Sequence, residues 1–205
     1  MNVTIVPIVE GHGEEKAVRI VIDRITAELN LSVRVEVVHP FRVKRHSFLR
    51  AGEFERKIEE AAIRAISASA EHRRILVLID SDGDCPLKLA PQLLERARLA
   101  RPDIPVSVVL AHCEFEAWYL ASASSLRGYC ELSAMMEDHP GAEGVQGAKE
   151  WLREHMPPNR RYSETVDQPV LAAIFDMKRA RKGSRSFRKF WKEIERILQD
   201  AAGES

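Results

Sequence analysis

The chain begins with an apolar run, Val3–Val9, that ends in the carboxylate Glu10 and a glycine turn. A run of this length and composition predicts a strand that is buried on both faces, as in a parallel sheet. The pattern recurs at Ile75–Ile79, which leads directly into Asp80. Because the carboxyl ends of parallel strands meet at one edge of a sheet, two acidic strand ends predict one acidic site at that edge.

The first half of the chain alternates between strand and helix periodicity. Val33–Val38 and Pro105–Ala111 indicate two further strands. Three amphipathic helices are indicated between the strands, at Val18–Leu29, Phe54–Ile66 and Leu87–Leu99. This order predicts an α/β fold, with a mainly parallel sheet of about four strands flanked by helices. Strand signals fade beyond residue 112, so we predict an α/β domain over residues 1–125 and a helical C-terminal extension over 126–205, packed on the same domain.

The composition is that of an ordinary soluble domain, with 45% hydrophobic and 30% charged residues. No apolar stretch approaches the roughly 20 residues that cross a bilayer, and no signal pattern opens the sequence. Cys85, Cys113 and Cys130 form no close pair, so neither a disulfide framework nor a zinc site is predicted. We expect a cytoplasmic protein with no membrane partner.

Acidic side chains follow three of the predicted strands. Glu10 follows the first, Asp80 and Asp82 follow the third, and Glu114 follows the fourth. Clustered carboxylates repel one another, and an oxygen-only ligand set at a strand edge suits Mg²⁺ or Mn²⁺. The sequence therefore predicts a divalent-metal site at the carboxyl edge of the sheet.

The acids that flank these positions have a second interpretation. Glu14 and Glu15, taken alone, complement the dipole of the helix that they open. Asp82-Gly83-Asp84, taken alone, is typical of a solvated turn. The shared location of both acid sets at strand ends favours the metal site over these alternatives.

Other ligand motifs fail at defined positions. Asp80–Asp84 begins like an EF-hand loop, but Cys85 stands at its sixth position and Pro91 at its twelfth. Gly11–Gly13 lacks the third glycine of a dinucleotide fingerprint, because Lys16 stands there. No Gly-Lys-Ser/Thr sequence closes a P-loop, so a nucleotide-cradling loop is not predicted.

Basic residues concentrate near the C-terminus, although the net charge of the chain is zero. Lys178–Lys192 contains eight Lys or Arg residues and no acid, which leaves 23 basic and 31 acidic residues elsewhere. Cations of this kind bind nucleic acid by releasing counterions from phosphates. The candidate nucleic-acid ligands are Arg179, Arg181, Lys182, Arg185, Arg188 and Lys189. A smaller basic loop, Arg42–Arg50, is expected to flank the acidic edge.

The aromatic residues among these cations allow two interpretations. Phe187, Phe190 and Trp191 are able to stack on unpaired bases if they are exposed. Phe187 and Trp191 also share helical spacing with Ile194 and Leu198. That spacing favours a final helix whose aromatic face packs on the body and whose cations face solvent.

The order and spacing of the acids resemble the Toprim domain. Val9-Glu10-Gly11 is followed by Glu14, and a later strand ends in Asp80-x-Asp82. More closely, the block Cys113–Leu120, with sequence CEFEAWYL, resembles the signature of a stand-alone bacterial Toprim-like family of unknown function. Gln168–Ile174, followed by Arg181 and Ser186-Phe187-x-x-Phe190, resembles the C-terminal region of the same family. The resemblance spans nearly the whole chain and relates it to the Toprim domain of OLD-type nucleases.

The resemblance implies a role for each matched acid. The implied catalytic residues are Glu10, Asp80 and Asp82. The implied metal ligands are Glu10, Glu14, Asp80, Asp82, Asp84 and Glu114. Of Glu114 and Glu116, one is expected to complete the site while the other caps the following helix.

The implied activity is Mg²⁺- or Mn²⁺-dependent cleavage or transfer at a phosphodiester of DNA or RNA, in genome or phage defence, with a protein partner such as an ATPase. Strand passage of the topoisomerase type is not expected, because Tyr119, Tyr129 and Tyr162 show no sign of a nucleophile on a separate domain. The alternative is a catalytically silent Toprim-like module that binds nucleic acid or protein and whose acids serve structure.

Overall fold

A parallel sheet of five strands runs through the computed structural model, which describes residues 1–203. The strands are β1 (Asn2–Val9), β2 (Arg34–Val37), β3 (Phe41–Arg42), β4 (His72–Asp80) and β5 (Val106–Ala111). The order across the sheet is β2-β1-β4-β5, and β3 pairs with β1 beyond the end of β2. Each of these pairings is parallel. The predicted α/β fold with a mainly parallel sheet and a helical C-terminal part is confirmed.

Helices cover both faces of this sheet. In the first two thirds of the chain they are α1 (Glu14–Leu29), α2 (Arg45–Leu49), α3 (Glu53–Ser67), α4 (Pro86–Ala100) and α5 (Ala117–Leu120). In the last third they are α6 (Ala148–Glu154), α7 (Asp167–Ile174), α8 (Met177–Gly183) and α9 (Arg185–Gly203). Successive side chains of a strand point to opposite faces. Ile5 and Val9 of β1 accordingly join the apolar cluster on the α1 and α9 face, whereas Val6 and Ile8 join the cluster on the α3 and α4 face.

The register of the sheet brings the strand ends level with one another. Val9, the last residue of β1, pairs with Leu78 of β4. Asp80, the last residue of β4, pairs with Ala111 at the end of β5. The residues that follow β1, β4 and β5 therefore lie side by side at one edge, as the sequence pattern predicts.

Strand β3 has no counterpart among the predicted strands. Phe41 and Arg42 pair with Ile8 and Val9 after Pro40 has interrupted the edge strand. A proline lacks the N–H that a ladder requires, and two residues are too few to show a strand period. The consequence of this short strand is that the basic loop after it lies beside the acidic end of β1.

The final helix packs its aromatic face onto the body of the protein. Phe187, Phe190 and Trp191 are at most 1% exposed. The Trp118 ring lies 5.0 Å from the Phe187 ring and 5.2 Å from that of Phe190, and its Nε1 donates to Ser186 Oγ at 2.9 Å. The prediction that these aromatic residues pack on the body is confirmed. The alternative, that they stack on unpaired bases, is wrong because their ring faces are covered.

One apolar cluster joins the two ends of the chain. It contains Val3 and Val21 near the N-terminus as well as Ile194 and Ala201 in α9. Side chains from before and after residue 125 therefore share a core, while the boundary at that residue stays a prediction. Over the described part of the chain, none of the helices combines the length and apolar character needed to span a bilayer.

Candidate functional site

The turn after β1 brings the carboxylate of Glu14 back to the backbone of Glu10. The Glu10 N–H donates to Glu14 Oε2 at 3.1 Å. Glu14, the first residue of α1, therefore accepts a hydrogen bond from the backbone that precedes its helix. A Cβ on Gly13 would lie 1.9 Å from Gln168 Oε1 and 2.2 Å from the Glu164 carbonyl oxygen. The second glycine of the turn is therefore required because α7 and the chain before it pack directly against its backbone.

The turns after β4 and β5 hold each other in place. Ser81 Oγ accepts from the Cys113 N–H at 2.9 Å, and the Asp82 N–H donates to the Cys113 carbonyl at 3.0 Å. Asp80 Oδ1 accepts from the Phe115 N–H at 2.8 Å. These bonds orient the Asp80 carboxylate toward the loop after β5 and bury it.

Glu116 is the fully buried acid of this edge. Its Oε1 accepts from the Tyr162 hydroxyl at 3.0 Å and from Gln168 Nε2 at 3.1 Å. Its Oε2 is buried and has no hydrogen-bond partner among the residues that the structure describes. Burial raises the pKa of Glu116 to about 8, although nearby Lys149 lowers it. A carboxyl with an unpartnered buried oxygen and such a pKa exchanges a proton near neutral pH.

Glu10, Glu14, Asp80 and Glu116 form a set that we call the acidic centre. Burial raises the pKa of Glu14 to about 7 against the hydrogen bonds that it accepts from the backbone. Burial also raises the pKa of Asp80 well above its usual value, and the charges of Glu14 and Glu116 add to this effect. The pKa of Glu10 is raised by burial as well, and Arg45 counteracts that shift. Burial is thus the main cause of the raised pKa values, and repulsion between the carboxylates adds to it.

Lys149 supplies a partly buried cation beside the acidic centre. Burial by itself lowers the pKa of Lys149, but the charges of Glu116, Asp80 and Glu164 raise it above the ordinary value. Its Nζ lies 3.1 Å from Glu164 Oε1. The lysine therefore stays protonated and offsets part of the negative charge. No pattern in the sequence pointed to it, because it lies in a segment interrupted by glycine and proline.

Arg45, the first residue of α2, inserts its guanidinium among the exposed acids of the same edge. Its Nε lies 3.0 Å from Asp82 Oδ2, its Nη2 donates to Asp84 Oδ2, and its Nη1 lies 3.8 Å from Glu10 Oε2. Nη1 and Nη2 also donate to the carbonyls of Asp80 and Ser81, at 2.5 and 3.0 Å. We call Asp82 and Asp84 the outer acids, since about half of each side chain is exposed.

Glu114 lies at the rim of the site and accepts from the backbone of another element. Its Oε2 accepts from the Lys149 N–H at 3.1 Å, in the first turn of α6. Of the two acids in the Glu-Phe-Glu block, Glu114 therefore caps a helix and Glu116 reaches the acidic centre. The cap belongs to α6, which lies far along the chain, rather than to the helix that follows directly. The role of Glu114 as a metal ligand stays a prediction.

The donor chemistry of the edge fits a hard divalent cation. The available groups are carboxylate oxygens, and the buried Oε2 atoms of Glu10 and Glu116 have no hydrogen-bond partner. Among residues 1–203, however, no group of three or more His, Cys, Asp or Glu side chains is already arranged to hold a metal ion. Binding would require the carboxylates to reorient and Arg45 to leave the outer acids.

The six candidate nucleic-acid ligands do not form one free patch. Arg179 lies 3.0 Å from Asp138, and the guanidinium of Arg181 lies 4.3 Å from the centre of the Trp191 ring. Arg188 donates to the Arg181 carbonyl, and Lys189 pairs with Glu193. Lys182 and Arg185 are exposed.

The first turn of α9 nevertheless lies at the same edge of the sheet as the acidic centre. Glu143 Oε1 accepts from the Ser186 N–H at 2.6 Å and from Ser184 Oγ at 2.7 Å. The carbonyl of Glu143 contacts the ring of His112, which directly follows β5. Arg185 is therefore carried on the rim of the edge where the acids cluster.

Fold and site together define a parallel α/β protein with a buried acidic centre at the carboxyl ends of three strands. The chain belongs to the family described as "Domain of unknown function (DUF4276)", whose model matches residues 9–195. The match includes each member of the acidic centre and the basic segment Lys178–Lys192. No curated protein and no solved structure matches the chain.

Proposed function

We propose that this protein is a Mg²⁺- or Mn²⁺-dependent nuclease or phosphotransfer protein of the Toprim type that acts on nucleic acid in the cytoplasm. The observation that carries the proposal is the acidic centre itself. Three strand ends bring four acids together in a buried space, and the pKa of each is raised. Perturbed carboxyls in such a cluster are a mark of functional sites.

The residues would divide the work of hydrolysis between them. Asp80, Glu10 and the outer acids would hold the divalent cation, which when bound polarises a phosphoryl group and lowers the pKa of an attacking water. Glu116, whose pKa is about 8, is suited to hold a proton at its Oε atoms near neutral pH. Lys149 lies close enough to the centre to offset negative charge there. Arg185 lies on the rim, where it is placed to contact a phosphate of the nucleic-acid strand that is cleaved.

We further propose that the protein acts in genome or phage defence, together with an ATPase partner. This proposal rests on the resemblance of the spacing of Glu10, Glu14, Asp80 and Asp82 to the Toprim domain of OLD-type nucleases. An ATPase partner would supply energy-dependent control of the cleavage. Co-purification of the tagged protein from its own host, followed by mass spectrometry, tests for that partner.

Cleavage assays with isosteric variants test the proposed activity. Single- and double-stranded DNA and RNA are incubated with the purified chain and Mg²⁺ or Mn²⁺. We expect Glu10→Gln and Asp80→Asn to reduce the cleavage rate by at least about 100-fold, since each removes a charged oxygen ligand while keeping the shape. Asp103→Asn is the matched control, because Asp103 precedes β5 at the opposite edge and pairs with Arg101.

The same assay separates error in the site from error in the function. Cleavage that survives both Glu10→Gln and Asp80→Asn would show that the site is elsewhere. Failure of the native chain to cleave any of these substrates, alone and with its co-purified partner, would contradict the nuclease.

A catalytically silent module is the second candidate, and the position of Arg45 favours it. Its guanidinium pairs with Glu10, Asp82 and Asp84, so these acids already serve to fix one loop against another. In that case the chain would bind nucleic acid or a protein partner without cutting. Calorimetric titration distinguishes the two candidates, because a silent module of this kind takes up neither Mg²⁺ nor Mn²⁺.

A further inference from the structure

The guanidinium of Arg45 occupies a position built like the ligand shell of a cation. It contacts the carboxylates of Glu10, Asp82 and Asp84 and the carbonyl oxygens of Asp80 and Ser81. Five oxygen atoms from two strand ends thus surround one positive group, and oxygen-only shells of this kind are what Mg²⁺ and Mn²⁺ take. Arg45 brings one positive charge to the three carboxylates that it contacts.

One contact in this shell is poorly satisfied. Within residues 1–203, Glu10 Oε2 is buried and accepts no hydrogen bond, and Arg45 Nη1 lies 3.8 Å from it. A buried carboxylate oxygen without a partner is costly. A cation in direct contact with Glu10 would remove that cost, whereas the guanidinium cannot approach it while Nη1 remains bound to the Asp80 carbonyl at 2.5 Å.

The arginine is also able to leave. Its side chain is 20% exposed, and the outer acids that it contacts are about half exposed. The carboxylate ends of these ion pairs are about half exposed, and solvent screening weakens such pairs. The helix that carries Arg45 is short, spanning Arg45–Leu49. A divalent cation that binds the same carboxylates can therefore displace the side chain without unfolding a long element.

We propose that Arg45 is an exchangeable counterion of the acidic edge, which a divalent cation displaces and which then binds a phosphate of the substrate. The proposal rests on the proposed function in one respect, since it takes these acids as metal ligands. A released guanidinium presents paired N–H donors that match two phosphate oxygens. Without metal, the arginine holds the outer acids together; with metal, it becomes a positioning residue for nucleic acid.

Metal affinity in two charge-matched variants tests the exchange. Mn²⁺ binding to the full chain is measured by calorimetry for the native protein, Arg45→Ala and Arg42→Ala. Arg42 lies in the same loop and donates to the Glu10 carbonyl at 3.1 Å, but it forms no ion pair with a carboxylate in the described part of the chain. We expect Arg45→Ala to lower the Mn²⁺ Kd roughly fivefold to tenfold relative to Arg42→Ala, because the competing ion pairs are removed. A Kd that is equal in the two variants, or higher in Arg45→Ala, would overturn the proposal.

A second readout follows metal binding in the native protein itself and uses conservative variants only for assignment. The arginine side-chain Nε–H resonances are followed by NMR during a Mg²⁺ titration, and are assigned with Arg45→Lys and Arg42→Lys. We expect the Arg45 resonance to shift as Mg²⁺ binds and that of Arg42 to stay nearly unchanged. An Arg45 resonance that remains in place at saturating Mg²⁺ contradicts the exchange.

Oligonucleotide binding tests the phosphate contact. Fluorescence anisotropy of a labelled single-stranded oligonucleotide is measured with and without Ca²⁺, which takes the same oxygen ligands. We expect Ca²⁺ to tighten binding more in the native protein than in Arg45→Ala, because the native protein gains a guanidinium contact in addition to the attraction of the cation for phosphate. Equal tightening in both proteins would refute the phosphate role of Arg45. Exchange without cleavage would count against the nuclease alone, so the two proposals fail separately.

Discussion

At the scale of single residues, Gly13 shows how closely the acidic turn is packed. Its missing side chain admits Gln168 Oε1 and the Glu164 carbonyl, which a Cβ would meet at 1.9 and 2.2 Å. We expect Gly13→Ala to lower the free energy of unfolding by about 1–3 kcal/mol, because a backbone atom has to move. Urea denaturation measures this loss. The control is Gly83→Ala, since a Cβ there meets nothing within 4 Å; an equal loss in both variants would contradict the packing argument.

Single residues also show which parts of the site the sequence could predict. Glu10 and Asp80 were predictable because each directly ends an apolar run, and strand ends of a parallel sheet converge. The choice between Glu114 and Glu116 was not predictable. It depends on α6 and α7, which meet the loop after β5 only in the folded chain. Arg45 was predictable as a flanking cation, but its insertion among the acids follows from β3, which is too short to leave a pattern.

At the scale of elements, α9 shows that the helical spacing of aromatic residues predicts which face of a helix is buried. Its aromatic residues repeat at helical spacing, and the structure buries them against Trp118. The existence of this helix, its buried face and its packing on the body were therefore predictable from the sequence. The direction in which α9 runs was not predictable. It depends on hydrogen bonds that Glu143 accepts from Ser184 and Ser186, which lie about forty residues further along the chain. That direction is what brings Arg185 to the acidic edge.

The packing of α9 predicts a large effect from one truncation. Phe187 is fully buried, and its ring lies within 5.4 Å of those of Trp118 and Phe175. We expect Phe187→Ala to lower the free energy of unfolding by about 3–5 kcal/mol through lost burial and the remaining cavity. Arg185→Ala, on the exposed side of the same helix, should change it by less than about 0.5 kcal/mol. Chemical denaturation compares them, and similar losses would show that α9 is not anchored by its aromatic face.

At the scale of the whole molecule, the fold concentrates acids at the same edge where its core closes. Parallel strands end there, α1 begins there, and the last third of the chain covers it. Glu14 and Glu116 are consequently buried among apolar and like-charged groups, and their pKa values rise to about 7 and about 8. The unfolded chain releases those protons near pH 4.5, so between pH 4.5 and 8 the folded state binds more protons than the unfolded state. The stability that these two groups contribute is therefore fully present below about pH 4.5, and this contribution is lost as the pH rises toward 8.

This proton linkage can be measured for Glu116 alone. We expect the free energy of unfolding to fall between pH 5 and pH 8, with Glu116 contributing on the order of 3–4 kcal/mol of that fall. Glu116→Gln keeps the acceptor for Tyr162 and cannot ionise, so its stability should depend much less on pH and exceed that of the native protein at pH 8. Glu59→Gln, on the exposed face of α3, should keep the native slope. Urea denaturation across this range decides the matter, because a Glu116→Gln profile parallel to the native one means that Glu116 ionises normally. The acidic centre would then lack the buried, proton-holding acid on which its proposed chemistry depends.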